Sequence, residues 1–432
     1  MAKRTKIESM AFGGYGVARV NGKVLFIPYT VTGEEVCIEI AKEKRRFSLG
    51  KLVRVIKPSP WRIDPPCPQF GVCGGCQWQH IEPSVHGEMK RKILIESLKH
   101  LGKLDPIPHI EVAPAPKPYG YRIRVQLKTE ERTIGYYREG SHKIVDISLC
   151  PIAHPLVNQI ISILRNHQSH FSTMKEIEIN VSPQEEKGVL LFHSNSIDQR
   201  FEYFAKQFLQ GQPILKGIAI SRKREWISIG NPSLAFKIST QENENEKERD
   251  LLLRISPGSF FQVNFEQNEK LIQTVIEFSG AKKTERILDL YAGAGNLTLP
   301  LAIQAGEVWG IEENRTAIED GRFNAEGNGI RNVHFIEGKV EKVLKDWKKG
   351  KPNQIILDPP REGCKKIIHH IVELAPEKIV YVSCEPTTFT RDLHLFTEKR
   401  YSLERLRLID MFPQTYHMEL VGLLIRSSDQ WR

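Results

Sequence analysis

From about residue 255 onward, apolar strand-like runs alternate with helical patterns, and few chain architectures satisfy that rhythm. The runs are Arg286–Leu290, Val308–Glu312, Val333–Ile336, Gln354–Leu357, Lys378–Val382 and Val421–Ile425. Strands joined through helices predict a parallel, doubly wound α/β sheet. Open sheets of this kind bind ligands outside the carboxyl ends of their strands, so chemistry is sought there.

One such end is rich in glycine. Ile287-Leu288-Asp289-Leu290-Tyr291-Ala292-Gly293-Ala294-Gly295-Asn296 runs from a strand into a turn, and Thr298–Ala302 opens a helix. Glycines let backbone approach a ligand closely. The next strand ends at Glu312, a carboxylate suited to the two hydroxyls of a ribose. A G-x-G alone also fits nicotinamide and flavin folds. Two details favour S-adenosylmethionine: the turn reads Gly-Ala-Gly-Asn, and a later strand closes in Asp358-Pro359-Pro360-Arg361.

Cys384 follows the apolar strand Ile379–Ser383, and Pro386 with Thr387 and Thr388 turns into a helix whose amino end favours a thiolate. Position alone balances a nucleophile against an inert buried cysteine. Glu419, entering the last apolar run, is a candidate base if burial raises its pKa. Read by itself it is an ordinary surface or capping acid.

Cys67-x5-Cys73-x2-Cys76 and the distant Cys150 form a second group. Four thiolates suit tetrahedral zinc or an iron–sulfur cluster. The wide first spacing and Pro151 after Cys150 favour the cluster, with zinc the alternative. Seven cysteines, an odd number, without a secretion signal argue against a disulfide framework.

The N-terminal part reads as short strands around Val24–Ile27, Val36–Ile40 and Leu52–Ile56, with turns at Gly13–Gly16, Asn21-Gly22 and Thr32-Gly33. Closure into a small barrel removes their edges. Residues 1–60 hold 12 Lys/Arg against 5 Asp/Glu, within a chain of net charge +10. A basic module beside a near-neutral remainder suggests a phosphate-backbone partner. Pro58, Pro60, Pro65 and Pro66 make a stiff linker, His86–Leu101 reads as a helix, and Ile123–Leu127, Gly188–Phe192 and Leu215–Ser221 read as strands. The polar run Gln241–Glu246 reads as a solvated loop. No membrane span or signal peptide is legible, no segment calls for an obligate protein partner, and the expected location is the cytoplasm.

These segments together resemble the bacterial RNA uracil-5-methyltransferases, particularly the 23S rRNA members with an N-terminal TRAM domain. Cys67–Cys76 with Gln79-His80, and Ile144–Asp146 through Cys150-Pro151-Ile152, are similar to that family's iron–sulfur segments. Phe261–Asn264, Asp289–Asn296, Glu312 and Asp358–Arg361 match its cofactor motifs, Tyr381–Cys384 with Arg391–Leu393 its nucleophile motif, and Asp410–Glu419 its base motif. Glu385 replaces the family's usual Asn, and Lys339 a further polar cofactor contact.

The resemblance implies a [4Fe–4S] cluster on Cys67, Cys73, Cys76 and Cys150. It places Gln262, Tyr291, Asn296, Glu312 and Asp358 at S-adenosylmethionine or the reaction centre, with Cys384 as nucleophile and Glu419 as base. The expected architecture is a multi-domain α/β protein: an OB-like TRAM β-barrel (1–60), a central α+β iron–sulfur domain (61–250) and a Rossmann-like class I methyltransferase domain (251–432). Its expected partner is RNA, with the target uridine unstacked for chemistry and Arg122, Arg124 and Arg138 on phosphates. 23S rRNA is the first expectation and a tRNA T-loop the alternative. An amino-group methyltransferase would need no thiol and carries an aromatic residue after Asp/Asn-Pro-Pro. A non-catalytic RNA-binding or assembly factor would need neither Cys384 nor Glu419.

Overall fold

A computed structural model describes residues 3–171, 174–194, 199–222, 225–241 and 248–427. Most of the polar run 241–246 lies outside the described residues.

The N-terminal strands are Lys3–Lys6, Ser9–Ala11, Tyr15–Val20, Lys23–Pro28, Glu35–Glu43 and Phe47–Lys57, joined in one sheet. The sheet closes on itself at Ile7 and Glu8, whose amides donate to the carbonyls of Glu34 and Val17, both at 2.8 Å. Alternate residues turn inward, so Ile7, Ala18, Leu25, Ile27, Val36 and Ile38 fill the interior. Asn21 and Gly22, with φ 52° and 76°, form the tight hairpin that positive φ at both positions favours.

The middle of the chain builds a seven-stranded sheet containing Arg124–Glu130, Thr133–Tyr137, Ile144–Asp146, Glu176–Ser182, Lys187–His193, Leu215–Arg222 and Glu225–Gly230. Helices Pro155–Asn166 and Gln199–Gln210 pack on it.

The third sheet has eight strands. Val333–Glu337, Glu307–Glu312, Arg286–Leu290, Gln354–Leu357, Lys378–Ser383, Glu419–Arg426, Tyr401–Ile409 and Ile110–Ala113 lie side by side in that order. The expectation of an entirely parallel sheet is corrected at Glu419–Arg426, which runs antiparallel to both neighbours. The linker Asp410–Met418 is shorter than the dozen or so residues a parallel crossover needs, so the chain must return antiparallel. The edge strand Ile110–Ala113 pairs with Leu406–Ile409, so this sheet also draws on residues before 251. Ile93, Leu94 and Leu98 of helix His86–His100 share a core with Leu288, Ile355 and Leu406 for the same reason: the apolar face of that helix needs a sheet to cover it. Among the described residues, no helix is long and apolar enough to cross a membrane.

Candidate active site

The carboxyl edge of the third sheet gathers the expected cofactor residues. After Leu290 the chain turns at Tyr291, φ 69°, and the amides of Tyr291 and Ala292 both donate to the Ile311 carbonyl, at 2.9 and 3.0 Å. Gly295 has φ 93°, and a Cβ there would lie 2.9 Å from Leu299, so only glycine lets helix Thr298–Gln304 start this close. Glu312 Oε2 accepts from the Gly293 amide at 3.1 Å, and its Oε1 from the Asn314 amide at 2.8 Å. Asn314 caps helix Arg315–Gly327. The Asn296 side chain exchanges two hydrogen bonds, 2.9 and 2.8 Å, with Asn268 of helix Phe265–Ser279.

Asp289 and Asp358 end adjacent paired strands. Burial pushes the Asp289 carboxyl up to about 7, with Asp358 and Glu312 adding to the rise. Burial likewise raises Asp358 to about 7. Asp289 Oδ2 accepts from Thr298 Oγ1, while the enclosed Oδ1 has no partner. An orphaned buried carboxylate oxygen, three acids and a glycine turn fit a ligand with hydroxyls and a positive charge, as S-adenosylmethionine has. Gln262 is buried and lines a small cavity with Ile123, Arg124 and Phe261. Lys339 is exposed, its ammonium 4.0 Å from Glu313.

Cys384 and Glu419 meet across neighbouring strands. Ser383 pairs with Leu420, so the same antiparallel register sets Cys384 opposite Glu419. Burial pushes the Cys384 thiol up to about 12, the Glu419 carboxyl beside it adding to the rise and the Arg361 guanidinium opposing it. Burial also holds Glu419 well above the usual carboxylate range, with Asp358 adding and Arg361 opposing. Glu385, in place of the family's Asn, caps helix Pro386–Thr397 by accepting from the Thr387 amide at 3.4 Å, and also accepts from the Thr387 hydroxyl at 2.7 Å.

That helix also fixes the loop after Asp358. Thr388 Oγ1 donates to the Arg361 carbonyl at 3.0 Å, and Arg391 Nη2 to the Glu362 carbonyl at 2.7 Å. The fully buried Asp392 accepts from the Cys364 amide (2.7 Å), the Tyr381 hydroxyl (2.9 Å) and Arg391 Nε (2.9 Å). Arg361 and Asp392 stood inside motifs in the sequence, yet nothing there assigned them these partners. The available signal was an Arg-Asp pair flanked by Phe389, Leu393 and Phe396, the apolar face of its helix.

Cys67, Cys73, Cys76 and Cys150 line one cavity of about 300 Å³, together with Arg122, Arg361, Phe412 and His417. Burial pushes the Cys73 thiol up to about 11 and the Cys76 thiol up to about 12. Among the described residues no three of these sulfurs lie within 4.8 Å of one another. A tetrahedral zinc with 2.3 Å bonds would draw its sulfurs to roughly 3.8 Å. Of the three arginines expected on phosphates, Arg124 is paired with Glu178 at 2.9 Å, the buried acid needing a counter-charge. Arg122 Nε donates to the Arg124 carbonyl, and the Arg138 backbone bridges to Cys73.

Fold and site together define a methyltransferase that uses S-adenosylmethionine. The chain belongs to the tRNA (uracil-5-)-methyltransferase family, which matches residues 90–427, and its residues 3–61 match the TRAM domain of tRNA (uracil(54)-C(5))-methyltransferase. It is thus an RNA (uracil-5-)-methyltransferase. A protein of Aquifex aeolicus described as an uncharacterized RNA methyltransferase is 34% identical over 97% of both chains. The 23S rRNA (uracil(1939)-C(5))-methyltransferase RlmD of Photorhabdus laumondii is 32% identical over 96% of this chain and 94% of its own. The structure of Pyrococcus abyssi tRNA (uracil-54, C5)-methyltransferase with S-adenosyl-L-homocysteine superposes with a TM-score of 0.73 and 26% identity, covering 98% of this chain and all of that one.

Proposed function

We propose that this enzyme methylates carbon 5 of a specific uridine in 23S rRNA, with Cys384 as nucleophile and Glu419 as base. The observation that carries the reading is the register that sets a cysteine opposite a buried glutamate at the edge where Asp289, Asp358 and Glu312 converge.

Carbon 5 of uracil is a weak nucleophile. Cys384 first yields its thiol proton to solvent; the thiolate adds to carbon 6, and the displaced electron pair makes an enolate that activates carbon 5. S-adenosylmethionine, when bound, supplies a methyl group on a sulfonium sulfur. Carbon 5 takes that methyl as the carbon–sulfonium bond breaks. Glu419 then accepts the carbon 5 proton, the ring double bond re-forms, and the bond between carbon 6 and Sγ breaks to restore the thiolate. In the ligand-free site burial raises the affinity of both groups for a proton. A positive ligand beside Asp358 lowers the carboxyl pKas and readies Glu419 to accept a proton. We assign Gln262, Tyr291, Asn296, Glu312 and Asp358 to the cofactor.

The four cysteines are assigned to a [4Fe–4S] cluster. Their shared cavity of about 300 Å³, roomier than one ion needs, supports a cluster over one zinc ion. About four irons per chain are expected after anaerobic purification; stoichiometric zinc instead would overturn the assignment.

Identity of 32% to an enzyme of 23S rRNA supports that substrate. The tRNA reading is the second, favoured by the superposition on the Pyrococcus abyssi enzyme. The test is incubation with S-adenosylmethionine and 5-fluorouridine-containing 23S rRNA fragments or tRNA. Fluorine cannot leave as a proton, so a methylated adduct on Cys384 should persist on one RNA. An adduct on neither, with cofactor bound, would sink the reading.

A further inference from the structure

The segment Asp410–Met418 ends on Glu419, and most of its anchors lie outside the catalytic strands. Gln77 and Trp78, the two residues after Cys76, both donate their amides to the Gln414 carbonyl, at 3.1 and 3.0 Å. Lys90 Nζ donates to Asp410 Oδ1 at 2.5 Å and to the Phe412 carbonyl at 3.1 Å, its side chain fully buried. The Tyr121 hydroxyl donates to the Pro413 carbonyl at 3.0 Å. Gln267 and Asn264 hold the carbonyls of Asp410 and Met411, at 3.0 and 3.1 Å. Phe12 of the barrel packs edge-on against Tyr416, ring centres 5.0 Å apart. The other side of the same loop supplies Phe412, Thr415 and His417 to the wall of the cysteine cavity.

A loop tied at five consecutive residues has little freedom, so what holds it also sets where Glu419 stands opposite Cys384. We propose that Asp410–Met418 is the strut through which the cysteine-bearing segment places the catalytic base, with Lys90, Gln77 and Trp78 as positioning residues for proton removal. The proposal rests on the reading of Glu419 as base. It also gives the cysteine site a task in a reaction that transfers no electron.

Failed proton removal has its own signature. Methyl transfer is complete, but carbon 5 keeps its proton and the uracil stays bonded to Cys384, so a methylated protein–RNA adduct accumulates. Loss of folding, of RNA binding or of cofactor binding gives no adduct.

The experiment uses full-length, anaerobically purified protein, methyl-labelled S-adenosylmethionine and a 23S rRNA transcript, or the tRNA transcript if the wild type methylates that one. Glu419→Gln is the benchmark. Lys90→Met/Asp410→Leu removes both ends of the buried pair, an exchange that proteins commonly tolerate. Both variants should raise the labelled adduct about tenfold to a hundredfold over wild type, the effect expected of a base displaced by an ångström. Amide exchange across 411–418 should quicken in the double variant. With the double variant folded and binding RNA and cofactor as wild type does, adduct in Glu419→Gln alone, or exchange as slow as wild type, overturns the strut while leaving the base in place. No adduct in Glu419→Gln removes the base assignment and the strut together.

Discussion

Thr298 Oγ1 donates a 2.6 Å hydrogen bond to Asp289 Oδ2, while Asp289 Oδ1, on a side chain 1% exposed, has no partner. This half-satisfied carboxyl ends the first strand of the cofactor site, and its pKa near 7 ties folding to pH. A raised carboxyl pKa means that the folded protein binds the proton more tightly than the unfolded chain. The stabilisation is whole below the ordinary value of 3.8 and is lost as pH rises through about 7. Asp289→Asn mimics the protonated form. Without cofactor it should gain on wild type between pH 5 and pH 8, by up to roughly 3 kcal/mol from a shift of about three pH units. Thermal melts at the two pH values measure this; the same gap at both would contradict it.

Cys384, pushed up to about 12, should react sluggishly in the free enzyme. Iodoacetamide labelling mapped to its peptide should still rise about tenfold per pH unit between 8 and 10, because only the thiolate reacts. A plateau below pH 9 would show a thiolate already formed without substrate.

Glu34, fully buried, holds the barrel to the segment after it. Its carboxylate accepts from the Val31 amide (2.9 Å), the Ser59 amide (3.3 Å) and Arg62 Nη2 (2.9 Å). Burial alone would raise this carboxyl, but Arg62 and the two amides outweigh burial and hold it below its ordinary value. Glu34→Ala should destabilise the junction by about 3–5 kcal/mol and open Pro58–Pro66 to limited proteolysis. With a lowered pKa, the loss should be constant above about pH 5 and shrink as pH falls through the folded value. Unchanged cleavage would refute the anchoring.

At Gly135 a Cβ would lie 1.8 Å from the Val145 carbonyl oxygen. Gly135→Ala should push away the strand Ile144–Asp146 that leads to Cys150, and, on the proposed cluster assignment, iron per chain should fall while the barrel stays folded. Full iron content in this variant would mean that Cys150 does not depend on that pairing.

Much of the catalytic sheet was readable because strands buried on both faces appear as unbroken apolar runs: Arg286–Leu290 and Gln354–Leu357 carry their expected bounds. Direction was not readable, since an apolar run such as Leu420–Leu424 looks the same either way, and only the short return from Ile409 reverses it. Partners distant along the chain were equally hidden. Lys90 and Asp410 are 320 residues apart, and nothing in a helix pattern of Met89, Ile93, Leu94 and Leu98 announces that a lysine among them is buried on an acid. Arg124 was hidden in the same way: its partner acid, Glu178, sits on a neighbouring strand that only the sheet register brings close.

The edge strand Ile110–Ala113 has one more consequence. Cutting the gene at codon 251 would not release a working catalytic half. It would leave Leu406–Ile409 with a bare row of amides and carbonyls, a template for aggregation. During synthesis Ile110–Ala113 leave the ribosome long before Leu406–Ile409 exist and must wait for them. The enzyme is therefore one interlaced body, and a transplant of its chemistry into another scaffold has to carry the early strand along.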